Sequence, residues 1–482
     1  MAELIGQADR MKLIISIAPH SMNDARKMLR ELRHSRDLVE IRIDHIKDLD
    51  IEALLRPPRP RVIVTNRHRA EGGRFNGSAE TQLRTLSSAM EAGAEFADIE
   101  LRWGIRQIRR LLSTVPASRL IVSYHDTTRT PSNLRQVVKR LSAAPVKNLK
   151  LVTSANDIND NKAIFDILTR SRRAGRHISA FCMNERGQIS RILGARYGSA
   201  FTYASSGMGE PTAPGQLSAN DLKTIYRVER INSNTRLFGL VGNPVSHSKG
   251  YRFHNGVFAR KSLNAVYVNF LVDDVRTFFK TFREEISGLS ITMPFKRAVI
   301  PLLDRVDEDA LTLQSVNTIV AKRGRLAGSN TDFRAIRKIL AAKTRLRGKK
   351  AVILGTGATA STMAYAAIEA GASATIVGRS AERAREAAAR LNCDWATFED
   401  LPGLTADILF NGTPVGMAGH LNRSPVPGKF LRKGMTVFDA VHYPPVTLLL
   451  RRAKSAGCQI ITGTELFEEQ ANLQSKLFLE VC

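Results

Sequence analysis

The sequence predicts an α/β protein in two parts: an N-terminal (β/α)8 barrel, then a unit built around a Rossmann-type nucleotide domain. Three observations carry this. Eight short β-branched or apolar runs, most of them separated by helix-like spacers, fill about the first 230 residues. A polar stretch, INSNTR at 231–236, then interrupts the pattern. A strand, a glycine turn, a small-residue helix and a second strand follow one another within 351–380.

The eight runs are LIISI (13–17), LVEIRID (38–44), RVIVTNR (61–67), FADIEL (96–101), RLIVSYHD (119–126), LKLVTSA (149–155), HISAFCM (177–183) and SAFTYAS (199–205). Helix-like spacers lie at 22–34, 79–92, 107–113, 134–141 and 158–174. The runs alternate poorly between apolar and polar, as parallel strands covered on both faces do. On this pattern alone a doubly wound open sheet is the alternative.

A chain of 482 residues has room for two to four domains. No stretch approaches the ~20 apolar residues of a membrane crossing. Cys182, Cys393, Cys458 and Cys482 form no CxxC pair or metal-ligand spacing, so neither a disulfide framework nor a metal site is expected. The N-terminal MAELIGQADRMKLIISIA lacks the build of a signal peptide, and the expected compartment is the reducing cytoplasm. The net charge of +27 is spread evenly, with 38 basic and 24 acidic residues in 1–230 and 34 and 21 in the rest. Only 101–150 is lopsided, with 11 basic residues and one acidic, and it lacks interleaved aromatics. No specific nucleic-acid site is expected. An evenly basic chain suits anionic small molecules, which its field draws into clefts.

Polar residues recur at the C-terminal ends of the runs, where barrel enzymes work. They are Glu40, Arg42, Arg67, Glu71, His125 and Lys150, with Arg191 after the seventh run and Gln216 after the eighth. Eight such side chains converging without a ligand would be an expensive core. Lys150 lies inside a run, where burial favours its neutral amine and hence Schiff-base chemistry on a ketone. Its alternative is a surface lysine at a strand start. His125 is the natural base, Glu71 a group to orient it, and Arg67 and Arg191 forks for a carboxylate.

On these residues 11–230 resemble the type I 3-dehydroquinate dehydratases. The matching stretches are EIRID, TNRHRAEGG, SYHDTTRTP, LKLV, GQISRILGARYGSAFTYA and TAPGQLS. The resemblance implies an imine between Lys150 and the C3 ketone of 3-dehydroquinate, with His125 taking the C2 proton and helping water leave C1. It implies that Arg191 holds the carboxylate, that Glu40, Arg42 and Arg67 surround the substrate, and that Gln216 closes over it. The family's usual Ser-Ala before PGQ is Thr212-Ala213 here. That substitution keeps a hydroxyl and adds a methyl group.

The second half opens with LFGLVGNPVSHSKG (237–250), followed by YVNF (267–270), LSITMPFK (289–296), VNTIV (316–320) and GSNTDF (328–333). In AVILGTGATASTMAYAAIEAGASATIVGRS (351–380), a strand runs to Gly355, Gly357 occupies the turn, and Ala360 fills the third fingerprint position. A pyrophosphate would sit over this turn and the following helix N-terminus. The second strand ends in Gly378-Arg379-Ser380, with Arg383 close by, where NAD-specific folds carry an acid. An arginine there favours NADP. Ser246, Ser248, Lys296, Asn317 and Asp332 cluster near turns. A lysine beside a carboxylate can shuttle a proton, although Lys296 and Asp332 could equally form an ordinary ion pair.

Residues 236–482 resemble shikimate dehydrogenases over nearly their full length. That resemblance implies Lys296 and Asp332 as the catalytic dyad. It implies Ser246, Ser248, Thr292, Asn317, His442 and Gln470 at the substrate. It implies Gly355, Gly357, Ala358, Thr359, Ala360, Gly378, Arg379, Ser380, Arg383, Thr413 and Gly463 at NADP(H). NGTPVGM (411–417), FDAVHYPPVTLLL and GTELFEEQ complete the pattern. The family's Val-Tyr reads Val441-His442, its NTDxxG carries Ala335, and Ser290 stands where Asn is common. The expected domains are the barrel at 11–230, a substrate domain at 236–340 completed by 450–482, and the NADP domain at 341–449. Together these imply a bifunctional enzyme that makes 3-dehydroshikimate and reduces it to shikimate. Oxidation of quinate or shikimate is the nearby alternative, and a basic nucleic-acid-binding regulator the distant one. Partners are small anions, with a homodimer as a candidate assembly and no membrane.

Overall fold

Eight parallel strands alternate with eight helices through the first part of the computed structural model, which describes residues 11–176 and 178–482. They are β1 (Lys12–Ile17), α1 (Met22–Glu31), β2 (Leu38–Arg42), α2 (Ile51–Leu55), β3 (Val62–Thr65), α3 (Ala79–Glu91), β4 (Phe96–Glu100), α4 (Gly104–Leu111), β5 (Leu120–His125), α5 (Leu134–Leu141), β6 (Asn148–Ser154), α6 (Asp160–Arg173), β7 (Ile178–Met183), α7 (Gln188–Tyr197), β8 (Phe201–Ser205) and α8 (Ala219–Thr224). Every expected run forms its strand; His177 of the seventh lies outside the described residues. Side-chain oxygens of Ser21, Asp50, Ser78 and Ser218 cap α1, α2, α3 and α8, each accepting a first-turn backbone N–H.

The strands pair in the order β7-β6-β5-β4-β3-β2-β1-β8. Across the remaining junction, the Ala200 N–H donates to the Ile178 carbonyl at 3.4 Å and the Phe201 N–H to Ser179 Oγ at 2.9 Å. The sheet therefore curls into a near-closed barrel. The open-sheet alternative is set aside.

Strand periodicity explains why the barrel's interior changes character along its axis. Ile14, Leu38, Ile63, Phe96, Ile121 and Phe201 pack together as an apolar floor. Two residues further along the same strands come Ser16, Glu40, Thr65, Asp98, Ser123 and Tyr203, all buried. In register with Ser123 lies Lys150. The alternate positions, such as Ile15, Ile17, Val39, Ile41, Val62 and Val64, pack outward against the helices.

After the barrel come β9 (Arg236–Gly242), α9 (Gly250–Arg260), β10 (Ala265–Leu271) and α10 (Val275–Phe282), with β9 and β10 parallel. They belong to the same compact unit, which ends at Glu285. Arg186 forks onto Asp273 with two 2.7 Å bonds, Arg196 reaches Glu285 at 2.9 Å, and Tyr226 stacks on Tyr251.

The second unit runs Ile286–Cys482. It opens with β11 (Ile286–Ile291), β12 (Arg305–Val306), α11 (Glu308–Thr312), β13 (Thr318–Lys322), β14 (Arg325–Ser329) and α12 (Thr331–Lys343). β11–β13 and β13–β14 pair antiparallel, and β14–β12 parallel. Next are β15 (Lys350–Leu354), α13 (Ala358–Glu369), β16 (Ser373–Gly378), α14 (Ala381–Leu391), β17 (Asp394–Thr397), β18 (Ile408–Asn411), β19 (Thr436–Asp439), α15 (Leu448–Ser455), β20 (Gln459–Ile461) and α16 (Gly463–Leu479). These strands form one parallel sheet in the order β17-β16-β15-β18-β19-β20. That is the Rossmann order, with its switch point between β15 and β18. Apolar clusters cover both faces of the sheet.

Candidate active sites

All nine barrel residues expected at a site line one pocket: Glu40, Arg42, Arg67, Glu71, His125, Lys150, Arg191, Thr212 and Gln216. Lys150 is at its centre. Its Nζ donates to Glu40 Oε1 at 3.0 Å and Asp98 Oδ2 at 3.3 Å, and it stands 3.9 Å from the centroid of the Tyr203 ring. Sequence reasoning expected burial alone to act on this amine. The structure adds two buried carboxylates paired with it. Glu40 also accepts from Ser16 Oγ at 2.6 Å and Thr65 Oγ1 at 3.0 Å. Burial raises its carboxyl, but the charges of Lys150 and Arg42 and the Ser16 bond win and hold it at about 2.

The two arginines expected to bind a carboxylate differ. Arg67 is consumed within the protein: it meets Asp98 at 3.0 Å and Glu100 at 3.4 Å and donates to Ser123 Oγ at 2.8 Å. Although burial alone would lower it, those carboxylates raise its guanidinium further. Arg191 is buried against the Phe181 ring, 4.4 Å from its centroid. One of its nitrogens donates to the Tyr203 carbonyl at 3.3 Å, while Nε and Nη2 have no partner among the described residues. Burial pushes it down to about 10. A buried, under-paired fork in a pocket calls for an anion.

His125 ends β5, and Glu71 closes the short turn 69–71 after β3. Glu71 Oε2 lies 3.0 Å from His125 Nδ1 and accepts the His125 backbone N–H at 3.1 Å. Burial pushes the Glu71 carboxyl up to about 8. Burial, then the charges of Arg67, Lys150 and Arg42, hold His125 well below the neutral range that sequence alone suggests. Such a pair titrates as a unit.

Over the pocket, Gln216 Oε1 accepts from Thr212 N–H at 3.0 Å and from the Thr212 hydroxyl at 3.1 Å. Thr212 Oγ1 also reaches Ser16 Oγ at 2.9 Å. The threonine thus uses its hydroxyl to join the loop to the Glu40 network.

In the second unit, Lys296 Nζ donates to Asp332 Oδ2 at 2.7 Å. Asp332 sits in the first turn of α12, which Asn330 caps by accepting the Phe333 N–H at 2.9 Å. Asn317 Oδ1 accepts from the Thr331 N–H and the Thr318 hydroxyl, each at 2.8 Å, and so fixes that helix start. Thr292 is half-buried in the turn between β11 and Lys296. Gln470 donates to its own helix at Phe467 O, 3.1 Å away, whereas Gln474 bonds Asn317 O and Thr318 Oγ1. His442 stacks on Phe467 with 4.5 Å between centroids. In the first unit, Ser246 is exposed and Ser248 accepts the Gly250 N–H at 3.3 Å in the turn leading into α9.

The β15–α13 turn fits a dinucleotide. Gly355 has φ +109°, and a Cβ there would lie 3.2 Å from the Gly412 carbonyl oxygen. Gly357 heads α13 with no side-chain cap, leaving the N–H groups at Ala358, Thr359 and Ala360 for an anion. Gly378 closes β16, and Arg379, Ser380 and Arg383 are exposed beyond it. Thr413 is held by Asn411, its hydroxyl 2.6 Å from Oδ1. A Cβ on Gly463 would meet the Val441 carbonyl oxygen at 2.3 Å, so only glycine lets α16 start there. Among the described residues no cluster of histidine, cysteine and acidic groups is built to hold a metal ion, and no helix is long and apolar enough to cross a membrane.

Residues 13–233 match the type I 3-dehydroquinase family, and 240–319 match the shikimate dehydrogenase substrate binding domain. The chain is 32% identical over 469 residues to the chloroplastic bifunctional 3-dehydroquinate dehydratase/shikimate dehydrogenase of Arabidopsis thaliana, covering 92% of this chain and 77% of that one. The chain belongs to the bifunctional 3-dehydroquinate dehydratase/shikimate dehydrogenase family. It is also 28% identical over 477 residues to the shikimate biosynthesis protein AroDE of Chlamydia pneumoniae, covering 97% and 95%. A shikimate dehydrogenase (NADP(+)) of Pyrococcus abyssi is 36% identical over 246 residues, covering 50% of this chain and 92% of the relative.

As a bifunctional dehydratase/dehydrogenase, the chain carries both activities of this stretch of the shikimate pathway. Sequence reasoning missed Tyr203 in the dehydratase pocket, Asp98 and Glu100 as the buried partners of its Lys150 and Arg67, and Gln474 in the dehydrogenase unit. Counting inward by twos from Phe96 in FADIEL and from Phe201 in FTYAS would have found the first three. Gln474 had no such signal, because it acts through α16, more than 150 residues beyond Asn317.

Proposed function

We propose that Lys150 attacks the C3 ketone of 3-dehydroquinate and, with loss of water, forms a protonated imine. Glu40 and Asp98, already bonded to its Nζ, position the nitrogen and balance the positive charge of the imine, while the proton that leaves the amine before attack goes to water. His125 removes the C2 proton through Nε2, with its Nδ1 oriented by Glu71. The resulting enamine expels the C1 hydroxyl as water, using the proton His125 has gained. Hydrolysis of the imine then releases 3-dehydroshikimate and restores Lys150. Arg191 holds the carboxylate on C1, Thr212 and Gln216 cover the ring, and Arg42 and Arg67 fix the surrounding charges. The under-paired Arg191 guanidinium in the same pocket as Lys150 carries this reading.

NADPH supplies the hydride for reducing the C3 ketone of 3-dehydroshikimate. Lys296, held by Asp332, donates the proton to the oxygen. Within the second unit Thr292, Asn317, His442 and Gln470 are the proposed substrate contacts, of which Asn317 also fixes the start of α12; within the first unit Ser246 and Ser248 are the proposed carboxylate-binding hydroxyls. Ala358, Thr359 and Ala360 at the start of α13 face the pyrophosphate, and Arg379 and Arg383 the 2′-phosphate. Thr413 and Gly463 complete the proposed nucleotide site. Cysteine usage supports a cytoplasmic setting.

Borohydride reduction in the presence of 3-dehydroquinate tests the imine. A single adduct on the peptide containing Lys150, with loss of dehydratase activity, is expected. An unmodified Lys150 after turnover in borohydride would refute it.

A further inference from the structure

Tyr203 is the buried polar group of the dehydratase pocket that the roles above leave unused. It is 3% exposed and lines the pocket from β8. The residue touches both ends of the chemistry, by its ring at Lys150 and by its backbone at Arg191. Lys150 Nζ stands 3.9 Å from its centroid, and its carbonyl oxygen accepts from Arg191 at 3.3 Å. The Phe181 ring, tilted against Tyr203 with 5.7 Å between centroids, carries the Arg191 guanidinium on its face.

The Tyr203 hydroxyl is buried and has no hydrogen-bond partner among the described residues. A hydroxyl left this way destabilises the folded chain, and phenylalanine would offer Lys150 the same ring face without that cost. The oxygen therefore needs a ligand to explain it. Burial, reinforced by the charges of Glu40 and Asp98, keeps the phenol protonated far above its ordinary range, so it is available as a donor. A substrate atom bonded to Lys150 Nζ would stand over or beside this ring.

We propose that Tyr203 is a substrate-contacting residue of the dehydratase. Its ring face carries the positive charge of the lysine–substrate nitrogen, and its hydroxyl donates a hydrogen bond to a substrate oxygen beside the imine carbon. The inference deepens the Schiff-base reading and rests on it.

Tyr203→Phe in the full chain isolates the hydroxyl. Dehydratase kcat/KM should fall about ten-fold, while the thermal midpoint stays the same or rises. The dehydrogenase rate on 3-dehydroshikimate should not change, and the borohydride adduct at Lys150 should still form. Tyr203→Leu removes the ring as well and should lower the adduct yield too. A Tyr203→Phe enzyme with wild-type kcat and KM would overturn the proposal, and a lowered thermal midpoint beside those constants would assign the hydroxyl to a buried water. Failure of the Schiff-base reading is separate: it would leave Lys150→Ala active, whatever Tyr203→Phe does.

Discussion

Lys150 Nζ lies 3.0 Å from Glu40 Oε1, although 110 positions separate the two residues. The barrel brings β2 and β6 to face each other across its interior and so makes a pair no local pattern contains. Removing the lysine strips Glu40 and Asp98 of a buried cation. Lys150→Ala should abolish dehydration and lower stability by about 3–5 kcal/mol in denaturant titration. Lys150→Ala with Glu40→Gln should recover part of the stability and none of the activity.

Acid stability follows from Glu40. Its pKa is lowered from 4.5 to about 2 in the folded chain. A lowered carboxyl contributes stability above its unfolded value, and that contribution is lost as pH falls from about 4.5 through about 2. The window corresponds to about 3 kcal/mol. Unfolding midpoints measured across it should fall for the wild type, and the fall should be shallower for Glu40→Gln.

The Glu71–His125 pair sets the dehydratase pH profile. While the pair holds its shared proton, His125 Nε2 carries hydrogen, whether the proton sits on the carboxyl or on the ring. When that proton leaves, Nδ1–H donates to Glu71 and Nε2 becomes a free base. Dehydratase kcat should therefore rise with pH through about 8, the value to which burial raises Glu71. Glu71→Gln should shift that rise to lower pH and lower the plateau about 10- to 100-fold, because the ring loses its carboxylate.

Lys296→Ala should lower dehydrogenase kcat by about 100- to 10,000-fold and leave dehydration at the wild-type rate. The same preparation, given 3-dehydroquinate for the first reaction and 3-dehydroshikimate with NADPH for the second, reports on both. Parallel loss of the two activities would mean that the chain had misfolded.

Arg379 and Arg383 are exposed beyond β16, whose end reads Gly378-Arg379-Ser380 with no acid at those three positions. Arg379→Ala should raise KM for NADPH about ten-fold, as expected for one lost charge-assisted bond. The KM for NADH should stay within about two-fold. An equal loss for both cofactors would contradict a 2′-phosphate contact.

Much of this was legible in the sequence because its signals are local. Strand runs, spacers and the GTGATA turn follow from short-range periodicity and backbone freedom, so the barrel and the Rossmann-type domain emerged without contacts. The polar ends of VEIRID and SYHD mark the barrel mouth for the same reason. What stayed hidden depends on pairing across the fold. Arg67 reads as a substrate fork but is taken up by Asp98 and Glu100. His125 reads as a neutral-range base but is shifted by burial and three neighbouring cations. Tyr203 reads as an ordinary strand aromatic, and only its buried, unpartnered hydroxyl sets it apart.

Two consecutive reactions on one chain are tested most directly with purified protein, 3-dehydroquinate and NADPH in one vessel, following cofactor oxidation and identifying the product by mass. Prompt oxidation with shikimate formation is expected, lost in Lys150→Ala and restored to it by added 3-dehydroshikimate. If supplied 3-dehydroshikimate gave no oxidation of either nicotinamide cofactor, or if Lys150→Ala still turned over 3-dehydroquinate, the account would be contradicted.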